Sequence, residues 1–138
     1  MPRLTGRCFC GEIQYEADDE ILFRAQCYCR DCQYMSGGHP NFCVCIKEIN
    51  FKYTQGDPAK FKNPNTPGKV TREFCGKCGT HLTTVNEAAE GMITIKVGTL
   101  DDPTLAGTPD LLIFTEDKQI FHHIPENVEI SSFKTEQQ

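Results

Sequence analysis

The chain has 138 residues, 38% hydrophobic and 24% charged, with a net charge of −5 and nine cysteines. That length suits a single folded domain, residues 1–138, with a buried core. Net acidity and the absence of a basic run speak against nucleic acid as a partner. No apolar run approaches the length of a membrane-spanning helix.

The opening "MPRLTGRCFC" lacks the apolar segment of a signal peptide, so a cytoplasmic protein is expected. An odd number of clustered thiols in such a chain points to metal rather than to a disulfide framework.

In chain order, several stretches alternate apolar and polar residues with the period of a half-buried strand. "EIQYEA" points Ile13, Tyr15 and Ala17 to one side, and "ILFRAQC" does the same with Ile21, Phe23, Ala25 and Cys27. "CRDCQYMS" has room for one or two helical turns after Cys29. "NFCVCIKEINF" reads as strand, with Cys43 and Cys45 on one side as small hydrophobes. Further strands are expected at "INFKY", "VTREF" and "MITIKV", the last with Ile93, Ile95 and Val97 inward, and at the short apolar "LLIFT". Proline and glycine mark Gly56 to Gly68 as a surface loop. "DDPTLAG" suits a turn or short helix, and "KTEQQ" a frayed tail. His122 and His123, adjacent on a strand, would face opposite ways and share no metal. The expected chain is mainly β, in several small sheets.

The cysteines fall into four groups: Cys8/Cys10, Cys27/Cys29/Cys32, Cys43/Cys45 and Cys75/Cys78. A structural zinc takes four ligands, commonly two pairs from separate parts of the chain. "CFCG" and "CGKCG" each end in glycine, which relieves the strain of a tight turn that aims N–H groups at sulfur. On that ground Cys8 and Cys10 pair with Cys75 and Cys78 in a closed site. A second pairing joins Cys29/Cys32 to Cys75/Cys78 and Cys8/Cys10 to Cys43/Cys45.

Under the first pairing Cys27, Cys29 and Cys32 remain, and three ligands with an open position is the pattern of a catalytic zinc. A fourth protein ligand, from His39, His81, Cys43 or Cys45, would instead close the site. The glycines of "SGG", Ser36 to Gly38, would let backbone N–H groups reach a ligand oxygen, or would simply make a turn. Arg30, Arg72 and Lys77 read as ordinary surface charges, and His81 as a surface residue or a neighbour of the metal ligands.

Together, "GRCFCGEIQYE", "CYCRDCQYMSGG" and "REFCGKCGTHL" resemble the glutathione-dependent formaldehyde-activating (GFA) enzyme family, which also includes centromere protein V. The resemblance covers about residues 4–133. It implies small coiled antiparallel β-sheets around two zinc ions per chain. The structural ion falls to Cys8, Cys10, Cys75 and Cys78, and the catalytic ion to Cys27, Cys29 and Cys32. The implied activity is a carbon–sulfur lyase reaction that adds glutathione, or another small thiol, to formaldehyde or another small aldehyde. A non-catalytic zinc module that binds a thiol or a protein partner is the alternative. The sequence departs from the family at Tyr28, where members often carry histidine, and in having no tryptophan near its C-terminus.

Overall fold

The computed structural model describes residues 3–64 and 70–131. Strands β1 (Arg3–Arg7), β2 (Gln14–Asp18) and β5 (Phe51–Gln55) form a three-stranded antiparallel sheet in the order β1-β2-β5. The large sheet contains β3 (Phe23–Cys27), β4 (Asn41–Lys47), β6 (Ala59–Phe61), β7 (Val70–Phe74), β8 (His81–Asn86), β9 (Met92–Lys96), β10 (Leu111–Ile113) and β11 (Glu129–Ile130). Its order is β11-β10-β3-β4-β9-β8-β7-β6. The one α-helix among the described residues, α1 (Arg30–Ser36), joins β3 to β4.

The alternating stretches are strands, as their period requires. Among the described residues the expected several small sheets resolve into two, one of them eight strands wide, and β10 lies parallel to both β3 and β11. A 3₁₀ turn at Glu48–Asn50 carries the chain from β4 in the large sheet to β5 in the small one. "DDPTLAG" forms a 3₁₀ turn, Pro103–Ala106, with Asp102 accepting from the Thr104 N–H.

The expectation of a loop from Gly56 to Gly68 needs correction, because Ala59, Lys60 and Phe61 pair with Phe74, Glu73 and Arg72. Three residues suffice for an edge strand when the neighbour offers a free ladder. Residues 65–68 of that segment and the "KTEQQ" tail lie outside the described residues. His122 and His123 also differ from expectation, since they sit in the irregular connection between β10 and β11 rather than on a strand. No helix among the described residues is long and apolar enough to cross a membrane.

Strand register assigns the two faces of the large sheet. Val44 pairs with Ile95 and Ile46 with Ile93. These four are buried against Leu4, Tyr15 and Ala17 of the small sheet. Burial of each such aliphatic side chain contributes about 1.5–3 kcal/mol, so this contact holds the two sheets together. Tyr15 ends the contact with a hydrogen bond between its Oη and Thr99 Oγ1, 2.7 Å apart. The backbone of β1 passes so close to that ring that a Cβ at Gly6 would run into Tyr15 and the Thr99 carbonyl.

The residues between them point the other way. Ala25 pairs with Cys43, Cys43 with Lys96, Leu111 with Ala25, and Ile113 with Cys27. Among the described residues no sheet covers this second face, and it becomes the floor of a cavity.

Candidate functional site

Two groups of cysteine sulfurs come together, each with all its sulfurs within 4.8 Å of one another: Cys8, Cys10, Cys75 and Cys78, and Cys27, Cys29 and Cys32. All nine cysteines are free of disulfides.

The first group joins the β1–β2 turn to the β7–β8 turn. Ile13 N–H donates to Cys8 Sγ at 3.2 Å, and the N–H groups of Lys77 and Cys78 donate to Cys75 Sγ at 3.3 and 3.4 Å. The chain can curl this tightly because Gly11 and Gly79 take left-handed φ of +83° and +81°. A cross-link runs from Phe9 N–H to Thr80 Oγ1, 3.0 Å.

Sulfur separations are 3.6 Å for Cys8–Cys10 and 3.8 Å for Cys10–Cys75. A tetrahedral zinc with Zn–S bonds of about 2.3 Å sets its sulfurs about 3.8 Å apart, so the four donors fit such an ion. Hydrogen bonds from the Thr80 side chain and backbone, and from the Cys10 backbone, bring the Cys78 thiol down to about 5. Cys10 accepts a lowering hydrogen bond from the Glu12 backbone. Desolvation and the neighbouring sulfurs outweigh it and push that thiol up to about 11.

The second group is local and deeply buried. Cys27 ends β3, Cys29 is the N-cap of α1, and Cys32 sits in its first turn. Cys29 has extended backbone and accepts the Cys32 N–H at 3.3 Å, as a serine or aspartate cap would. That bond folds Cys32 back over Cys29, while the strand end supplies Cys27. Asn41 Nδ2 also approaches Cys32 Sγ, at 3.9 Å.

The crowding has an electrostatic effect. The sulfurs of Cys29 and Cys32, followed by burial, push the Cys27 thiol far up. Three such thiols deprotonate together only when a cation joins them, which is what a metal does for coordinating thiols. No fourth His, Cys, Asp or Glu among the described residues completes this group. His39, His81, Cys43 and Cys45 all lie outside it.

Tyr28, between the cysteines, turns away from them. Its Oη accepts from Gln26 Nε2 (2.8 Å) and donates to the His123 carbonyl (2.9 Å). His122 packs edge-on to the Tyr28 ring. Its Nδ1 accepts the Gln119 N–H at 2.8 Å, which leaves Nε2–H to donate to the Gly38 carbonyl at 2.6 Å.

"SGG" proves to be the end of the helix. Gly37 takes φ +80°, and the N–H groups of both Gly37 and Gly38 donate to the Gln33 carbonyl. The reading that offered those N–H groups to a ligand is therefore corrected, because the helix cap consumes them.

A cavity of about 510 Å³ opens beside the three-cysteine group, with Cys27, Cys29 and Cys32 in its wall. Its floor is the uncovered face of the large sheet: Phe23 and Ala25, Cys43 and Cys45, Thr94 and Lys96. Cys43 and Cys45 are held protonated by burial, Cys45 near 11. They act here as small apolar floor groups. Arg72 also lines the cavity. It is largely buried and reaches Asp31 at 3.8 Å, so its reading as a plain surface charge is corrected.

Lys96 escaped the sequence reading altogether. In "MITIKV" the isoleucines mark the inner face, and the alternate residues read as solvated. They face the cavity instead. Lys96 is nine-tenths buried, and its Nζ has no hydrogen-bond partner among the described residues.

The fold and the site define a β protein with two cysteine clusters able to hold metal ions, one knotting two turns together and one opening on a cavity. The model of the glutathione-dependent formaldehyde-activating enzyme family matches residues 3–117, and the chain belongs to that family. Its fold is similar to the crystal structure of a Rhodobacter sphaeroides protein, a structural-genomics target, with 17% identity and a TM-score of 0.62. That match covers 76% of this chain and 96% of the other. No curated protein matches the sequence.

Proposed function

We propose that the protein adds a small thiol, of which glutathione is the one the family description points to, to formaldehyde or another small aldehyde, giving an S-hydroxyalkyl adduct. The observation that carries this reading is the trio of Cys27, Cys29 and Cys32, unaccompanied by a fourth ligand among the described residues and set in the wall of a cavity. Cys27, Cys29 and Cys32 would hold a zinc ion, which would supply a Lewis acid that favours the deprotonated form of the substrate sulfur.

The chain's own groups do the rest. The Cys32 N–H and the Asn41 amide orient two of the ligand sulfurs. The apolar floor keeps water from the reacting pair. In the addition, a C–S bond forms, the carbonyl π bond breaks, and the thiol's proton ends on the new hydroxyl oxygen. Cys8, Cys10, Cys75 and Cys78 would hold a second zinc, structural in its part, making two per chain in one domain.

The test is exchange spectroscopy on ¹³C-formaldehyde mixed with glutathione. The protein is expected to accelerate exchange between free formaldehyde and the adduct, and Cys29→Ser, while still folded, to lose that acceleration. Glutathione bound through sulfur with no acceleration would favour the non-catalytic module.

A further inference from the structure

The cavity's chemistry says more about the thiol than the cysteines do. Its lining among the described residues contains two cations, Lys96 and Arg72, and no carboxylate. Arg72 is already engaged by Asp31 at 3.8 Å. The Lys96 Nζ is buried without a hydrogen-bond partner among the described residues. A buried ammonium left unpaired is costly, and a ligand anion beside it removes that cost. Most of the remaining surface is apolar, from Phe23, Ala25, Met92, Leu111 and Ile113.

Glutathione matches this lining poorly. It brings two carboxylates for one unpaired cation among the described residues, and an ammonium for which the described lining offers no carboxylate. Its peptide backbone would also lie on an apolar floor, losing hydrogen bonds to water.

Resting on the proposed thiol addition, we propose that the preferred thiol is an apolar mercaptocarboxylate, with one carboxylate received by Lys96, a hydrocarbon body on the sheet floor, and no ammonium. Lys96 is then the specificity-determining residue of the site. Its register explains its aim: opposite Cys43 on β4, it projects from the same face as the cavity floor. The four-carbon stem lies along apolar neighbours while only the head needs a partner.

Three probes separate the terms by calorimetry on the metal-loaded protein: 2-benzyl-3-mercaptopropionate, its neutral analogue 3-phenylpropane-1-thiol, and glutathione. The acidic aromatic thiol is expected to bind about tenfold or more tighter than either of the others, the scale of one charge-assisted hydrogen bond. Lys96→Met keeps the stem and removes the charge. It is expected to weaken the acidic thiol by about tenfold to a hundredfold and leave the neutral one unchanged. Lys96→Arg should restore part of the difference.

Tighter binding of glutathione than of the aromatic acid overturns the proposal on wild-type protein alone, whatever the variants do. Equal weakening of both aromatic thiols by Lys96→Met, or loss of bound metal, overturns it in favour of Lys96 as a counter-charge to the cysteine sulfurs. If none of the three thiols binds, the thiol-addition reading itself fails. Binding of the neutral thiol as tightly as the acid overturns only the carboxylate assignment.

Discussion

A single missing side chain sets how closely β1 lies on Tyr15. At Gly6 a Cβ would collide with the Tyr15 ring and with the Thr99 carbonyl, a backbone atom that cannot swing away. Gly6→Ala is therefore expected to destabilise the fold by about 1–3 kcal/mol, the cost of overpacking a filled interior. Urea unfolding checks it, as a lower midpoint at unchanged slope. Gly98→Ala is the control, because nothing lies within 4 Å of the added carbon. Its effect should stay within about 0.5 kcal/mol. The same scale shows where sequence reading stops. Cys8 and Cys75 were legible because glycine follows each pair and only certain turns need it. Lys96 was not legible, because an alternating strand looks identical whether its polar side meets water or a cavity.

At the scale of elements, α1 is a seven-residue helix, too short to stand by its own propensity. Its start is fixed by Cys29 and its end by contacts from the β10–β11 connection. His122 holds the Gly38 carbonyl, and Gln33 Nε2 reaches both the Tyr28 and Asp117 carbonyls, at 2.8 and 3.1 Å. His122→Ala takes the donor from a partly buried carbonyl and is expected to cost about 0.5–1.5 kcal/mol. Hydrogen exchange should quicken at Gly37 and Gly38 while the Cys75 and Gly79 amides stay protected. Equal quickening at both places would mean that His122 serves the fold as a whole.

Most strands were readable from their period of two, and the helix from the residues after Cys29. The clamp from His122 was hidden because it spans 84 residues and uses a backbone acceptor, which no side-chain pattern marks. The edge strand β6 was hidden for a related reason: the ladder that selects it belongs to β7.

For the whole molecule, the two cysteine groups make opposite demands. Cys75→Ser removes a donor from the group that ties the β1–β2 turn to the β7–β8 turn. Structural zinc sites of this type contribute about 10–16 kcal/mol, against a total stability of about 5–15 kcal/mol for an ordinary domain. Loss of the cooperative unfolding transition is expected. Cys29→Ser removes a donor from a group that spans one strand end and one helical turn. Serine still caps the helix, so the variant should unfold cooperatively and carry about one metal ion fewer. Elemental analysis beside circular dichroism decides this, and two variants that both fail to fold would make both groups structural.

The reach of the first group also dictates a schedule for the newborn chain. Cys10 and Cys75 stand 65 residues apart, whereas Cys27, Cys29 and Cys32 fit within six. Closing a loop of that length removes about 4 kcal/mol of chain entropy from the unfolded state, but the closure must wait until Cys78 has left the ribosome. The short-range trio is complete as soon as Cys32 has followed Cys27 and Cys29 out. Under the proposed two-metal reading, acquisition would therefore run from the site that opens on the cavity to the site that fastens the fold. A cell short of the ion during synthesis would accumulate chains loaded at the trio but not yet locked.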